Sequence, residues 1–138
     1  MSPRDTSTGA VLEQMVLPAL TRGGYQYRTQ GYIGARLGGG RHKVDAIADK
    51  GDRRWLISMK WQQVSGTAEQ KVPCEVICLA EAVGSGPYEG AYLVLGGPGW
   101  SLREFYTGDG LRRHLATMDR VKIVSLEDFI ARANNGGL

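Results

Sequence analysis

Cysteine is nearly absent from this chain. Only Cys74 and Cys78 occur, four residues apart. On a helix that spacing supplies at most half of a metal site, and no second Cys or His pair completes it, so the two are read as small buried side chains in a reducing compartment. No apolar run reaches the roughly 18 residues of a membrane span, and the start of the chain lacks the charged-then-apolar pattern of a secretory signal. A soluble, cytoplasmic protein is therefore expected. Internal repeats and low-complexity segments are also missing. GARLGGGRHK, residues 34–43, is glycine-rich but lacks the Lys-Ser/Thr ending of a phosphate loop, which excludes a nucleoside triphosphate site of that kind.

What is present fits one domain, residues 1–138. At 138 residues and 42% hydrophobic composition the chain can bury one ordinary core and is too short for two typical domains. The net charge is only +3, yet Arg36, Arg41, Lys43, Lys50, Arg53, Arg54 and Lys60 all fall within one quarter of the sequence. That concentration marks either a phosphate-facing region or a solvated hairpin.

Val11, Leu12, Met15, Val16 and Ala19 recur at helical spacing, with Ser7 or Thr8 as caps and a kink or end near Pro18. Alternating residues predict strands over 24–34, 42–49 and 55–61, the last two joined by the turn KGDR. Thr67 and Gln70 fit a capping box before a helix reaching about Val83, which Pro73 kinks or truly begins. AYLVL, 91–95, has the length of a fully buried strand. After the GGPGW loop a helix is expected from Ser101, then a strand over 121–124, and Ser125 caps a last helix. The order αβββαβαβα implies an α/β fold, a mixed sheet flanked by helices, with a frayed tail over 133–138.

Alternation sends Trp55, Ile57, Met59 and Trp61 to one face of the third strand and Leu56, Ser58, Lys60 and Gln62 to the other. Lys43, Asp45, Ile47 and Asp49 share a face of the second. A suitable register brings Asp45 beside Ser58 and Lys60. An aspartate and a lysine so placed suit a metal-dependent phosphodiesterase: a carboxylate and a strand carbonyl hold Mg²⁺, and the lysine faces the attacking water and the phosphate. A buried Asp–Lys pair with no chemistry is the plain alternative.

VDAIAD, a turn and WLISMKWQ, between a leading helix and a long helix plus strand, resemble the PD-(D/E)XK nuclease superfamily, with its restriction-endonuclease-like fold. The likeness in element order covers most of the chain and is most specific over 42–79. It implies that Asp45 is the metal-binding aspartate, Lys60 the motif lysine and the Met59 carbonyl a further ligand. The sequence departs from the pattern at Ser58, where the superfamily usually has Asp or Glu. Serine is no equal substitute for a carboxylate on Mg²⁺. Some restriction enzymes of the superfamily look similar here, carrying Ser-x-Lys with a glutamate supplied by the following helix.

Two glutamates follow. Glu75, 15 positions after Lys60, is the first choice, and Glu69, which also suits a first-turn acid, the second. Gln62 continues the polar face as a site candidate. The resemblance adds Glu13, from the first helix, as a further acid, although an exposed glutamate is its ordinary reading. Arg36, Arg41, His42 and Lys43 are expected to grip DNA phosphates, His42 alternatively being a loop-edge residue. Trp100 either stacks on a base or plugs the core. The expectation is a Mg²⁺- or Mn²⁺-dependent DNA endonuclease, restriction-like or specific for branched DNA and working as a homodimer. Its catalytic set is Asp45, Ser58, Lys60, Gln62 and Glu75. The alternative is an inactive nucleic-acid-binding or interaction subunit of the same fold.

Overall fold

A computed structural model describes residues 9–35, 39–64, 66–115 and 118–138. Arg36 and the proposed caps Ser7 and Thr8 lie outside the described residues. Five strands form one sheet in chain order: β1 (Gln26–Ala35), β2 (Arg41–Lys50), β3 (Arg53–Trp61), β4 (Gly90–Gly96) and β5 (Val121–Ser125). β1, β2 and β3 pair antiparallel, while β3, β4 and β5 run parallel. Gly51 makes the β2–β3 turn at φ 62°, which a side chain would strain.

Helices cover both faces, as the alternation of elements requires. A π-helical segment, Leu12–Val16, runs directly into α1, Leu17–Arg22. Pro18 neither ends nor breaks the helix. It has no N–H to donate, and the turn ahead of it widens so that Leu17 N–H reaches back to Leu12 O. On the same face lies α4, Leu126–Asn134, capped by Ser125, whose hydroxyl accepts from Asp128 N–H. Leu20, Ile57, Val94 and Phe129 are buried there, and the Tyr92 and Phe129 rings meet edge to face at 5.5 Å.

The opposite face carries α2, Val72–Ser85, entered through a 3₁₀ turn, Thr67–Lys71. Pro73 stands at its first positions and so marks its true start. Val76 and Leu79 of α2 pack with Leu56, Leu93, Leu95 and Ile123 of the sheet. β4 is buried along its whole length, which is why AYLVL shows no alternation. The helix expected from Ser101 begins at Arg103 and extends only to Thr107, as α3. Cys78 is buried, but Cys74 is exposed, contrary to the expected pair of interior cysteines. After α4 the tail turns back, and Leu138 N–H donates to the Tyr25 hydroxyl.

The alternation of β2 reverses at Asp45. Val44 joins the core under α2, whereas Ala46 and Ala48 join the core under α1 and α4. Across the pair, β1 places Gln30 at φ 54°, between the partners Thr29↔Ala46 and Gly31↔Val44. A non-glycine residue in left-handed backbone breaks the regular pleat, and side chains beyond it exchange faces. His42 and Val44 thereby join Asp45 and Ile47 on the face toward α2, where a strict period of two would not place them. Lys43 is left exposed.

Candidate active site

β3 and β2 are paired from Lys50↔Arg53 up to Ala46↔Ile57. At the next position Asp45 offers its side chain in place of the ladder: Oδ2 accepts from Met59 N–H at 2.7 Å. That bond holds the aspartate against the segment carrying Ser58, Met59 and Lys60. Ser58 is buried and Lys60 half-buried, on the face of β3 that looks toward α2.

Glu75 descends onto the same spot from the first turn of α2 and is 1% exposed. Its Oε2 accepts from Ser58 Oγ at 2.9 Å and lies 3.1 Å from His42 Nε2. The helix thus delivers a carboxylate to the side chain that stands where the superfamily pattern has its acid. His42 is also 1% exposed, so it is neither a loop-edge residue nor a surface grip for phosphate. Strict alternation hid it, because only the reversal at Asp45 turns it inward. Its closeness in sequence to Asp45 was the available signal.

The two carboxylates are perturbed in opposite directions. Burial is the strongest influence on Asp45 and raises its pKa, beyond what the Met59 N–H and the Lys60 charge withdraw, while the Glu75 charge adds to the rise. Burial also opposes ionisation of Glu75. There, the His42 hydrogen bond, the Lys60 and His42 charges and the Ser58 hydroxyl together prevail, bringing it down to about 2. Lys60 therefore acts on both acids, and the acids repel each other. A divalent cation between them would relieve that repulsion.

The donors near Lys60, two carboxylates and a strand carbonyl, are hard oxygen ligands of the sort Mg²⁺ or Mn²⁺ takes. Among the described residues no three His, Cys, Asp or Glu side chains converge as a ready-made metal cage. Mg²⁺ does not need one, since one or two carboxylates with water and substrate oxygens suffice. The residues fit such an ion.

Glu69 serves elsewhere. Its carboxylate accepts from Ser101 N–H, from Ser101 Oγ at 2.8 Å and from Gln62 Nε2 at 3.1 Å. Its carbonyl takes the Tyr106 hydroxyl at 2.8 Å. Gln62 also donates to Gly99 O at 2.8 Å. Gln62 and Glu69 thus clasp the loop after β4 rather than joining Asp45 and Glu75. The glycines of GGPGW permit this: Gly97 has φ 93°, and a Cβ on it or on Gly99 would collide with the backbone of Gln62 or Val64. Trp100 is buried with its Nε1–H bound to Gly96 O at 2.7 Å, a plug rather than a free stacking surface.

Of the remaining candidates, Glu13 is exposed on the helix against the opposite face. Arg41 is exposed, and its guanidinium lies 3.9 Å from the centre of the exposed Tyr32 ring. A cavity of about 640 Å³ opens elsewhere, between α3, β5 and α4, lined by Arg103, Lys122, Glu127 and Arg132 among others. None of Asp45, Ser58, Lys60 and Glu75 lines it, and the catalytic reading stays with the carboxylate cluster on chemical grounds. No helix among the described residues is long and apolar enough to cross a membrane.

No curated protein matches the chain. Among solved structures, the chain is similar to a crystal structure titled as a protein of unknown function, AF1548, at 10% identity and a TM-score of 0.49. That match covers 80% of this chain and 54% of the other, so the chain spans about half the length of the solved protein. The model of the PD-(D/E)XK nuclease superfamily domain matches residues 4–137, nearly the full length. The chain belongs to the PD-(D/E)XK nuclease superfamily.

Proposed function

We propose that this protein is a divalent-metal-dependent endonuclease hydrolysing phosphodiester bonds in DNA. One observation carries the reading: Glu75, supplied by α2, is hydrogen-bonded to Ser58, the residue standing where the motif acid is expected, next to Asp45 and Lys60. Asp45, Glu75 and the Met59 carbonyl would hold Mg²⁺ or Mn²⁺, which when bound supplies Lewis-acid stabilisation and a more acidic water. Glu75 stays ionised at neutral pH because His42, Ser58 and Lys60 hold it so. Lys60 presents its ammonium to the phosphate as negative charge grows in the transition state, and orients the attacking water by donating to it. Arg41 and Lys43 lie exposed on β2 and suit the flanking phosphates. In this reading the protein acts in the cytoplasm as a homodimer, a copy for each strand, on a restriction-type or branched substrate. Its products carry 5′-phosphate and 3′-hydroxyl ends.

A second reading, nucleic-acid binding without cleavage, draws on the same contacts. A glutamate engaged by both His42 and Ser58 also describes a buried structural carboxylate. The test is incubation with supercoiled, linear, single-stranded and four-way-junction DNA in Mg²⁺, Mn²⁺ or EDTA, beside Lys60→Ala. Metal-dependent cutting that falls by about 10²–10³-fold in Lys60→Ala is expected. Intact binding with no cutting in any metal favours the second reading.

A further inference from the structure

His42 contacts neither substrate nor metal in the proposed reaction, yet it is among the most deeply buried polar side chains and touches the acid at the centre of the site. We infer that His42 is a positioning residue which, together with Ser58, fixes the plane of the Glu75 carboxylate and so sets the affinity of the site for its divalent cation. The inference rests on the metal-dependent reading above and names the device that makes a glutamate from α2 usable there.

Three elements meet at one oxygen. His42 comes from β2, Ser58 from β3 and Glu75 from α2, and both contacts converge on Oε2, at 3.1 and 2.9 Å. The terminal torsion of a glutamate is broad, so one hydrogen bond leaves the carboxylate free to rock about it. Two contacts from different strands, on the same oxygen, remove that freedom and thereby set the direction of Oε1. Residues bonded to a metal ligand in this way commonly govern metal affinity about 10–100-fold. A motif acid borne on β3 would be aimed by its own strand. An acid arriving from a helix across the layer is not, and needs such a clamp.

The local distortion of the sheet is consistent with this role. His42 reaches Glu75 only because β2 changes face at Asp45, opposite Gln30 in left-handed backbone. Left-handed backbone at a non-glycine residue is strained, and natural folds tend to keep such strain where a site needs it.

The experiment measures Mn²⁺ affinity by calorimetry and DNA cleavage in the same buffer for the wild type, His42→Ala, His42→Gln and His42→Asn, with thermal denaturation of each metal-free protein. A glutamine can place its amide nitrogen where His Nε2 stands, whereas an asparagine places it nearer Nδ1, out of reach of Glu75. His42→Ala and His42→Asn are expected to lose about 10–100-fold in Mn²⁺ affinity, and His42→Gln to regain most of it. If His42→Ala fails to fold, the contrast between Gln and Asn still decides. Wild-type affinity in His42→Asn, or equal losses in Gln and Asn, overturns the clamp while leaving the nuclease standing. A wild type that neither binds Mn²⁺ nor cuts overturns the nuclease reading, and the clamp with it.

Discussion

A serine cannot hold Mg²⁺ as a carboxylate does, but it can hold the carboxylate that does. Ser58 donates its hydroxyl to Glu75, and under the proposed function the pair stands in for a single acidic side chain. The acid should therefore be movable. Glu75→Ala is expected to abolish metal-dependent cutting, and adding Ser58→Asp to that variant to recover a measurable part of it, read as the initial rate on the preferred DNA. A double variant that also stops binding Mn²⁺ counts against the equivalence. Glu69 offers a different check. Its carboxylate is held ionised, against burial, by Ser101 and Gln62, so its pKa lies below the ordinary 4.5. It thus adds stability above about pH 4.5, which is lost as pH falls through the lowered folded value. Denaturant titrations between pH 3 and 7 should show Glu69→Gln narrowing the difference between the two ends. At this scale the meeting of Asp45, Lys60 and Glu75 is legible from their spacing around WLISMKW and the superfamily pattern. His42 is not, since a period of two points it away, and nothing in the residue types announces a left-handed Gln30.

β2 and β3 bring Asp45 to Lys60, and α2 adds Glu75 because Pro73 starts the helix just two residues earlier. The sheet, its hairpin turn and the final helix with its Ser125 cap all follow from alternation, turn chemistry and capping. The helix expected from Ser101 shrinks to the short α3: the stretch after GGPGW has no long apolar periodicity, and Ser101 is spent on Glu69 rather than on starting a helix. The loop itself is packed by glycine against Gln62 and Val64. Gly97→Ala should therefore lower the melting temperature and, through Gln62, loosen the end of β3; it combines a strained φ with a backbone collision. A melting curve unchanged from wild type excludes that packing. On the exposed face of β2, Arg41→Ala and Lys43→Ala should each weaken DNA binding and reduce the slope of log affinity against log salt by about 1. Equal slopes for the variants and wild type would remove these two residues from the interface.

For the molecule as a whole, both helical layers hold the fold, while the proposed chemistry lies on the α2 side alone. The core beneath α1 and α4, around Phe129 and Ile57, lies on the face of the sheet opposite Glu75. Phe129→Ala should cost about 3–5 kcal/mol of stability, measured by denaturation, yet leave cleavage per folded molecule close to wild type at low temperature. Fold class was readable at this scale because one domain, one strand buried along its whole length and the alternation of elements admit few arrangements. Substrate class was not, because the residues that select a duplex site, a junction or a flap need not follow any periodicity. Whether Glu75 is the second acid is read from the single-turnover rate of DNA cleavage in Mn²⁺ for Glu75→Gln set beside Glu69→Gln. Glu75→Gln is expected to lose about 10²-fold or more while Glu69→Gln, once folded, keeps near wild-type chemistry. A fast Glu75→Gln and a dead but folded Glu69→Gln would contradict that assignment, moving the second acid to the loop clasp.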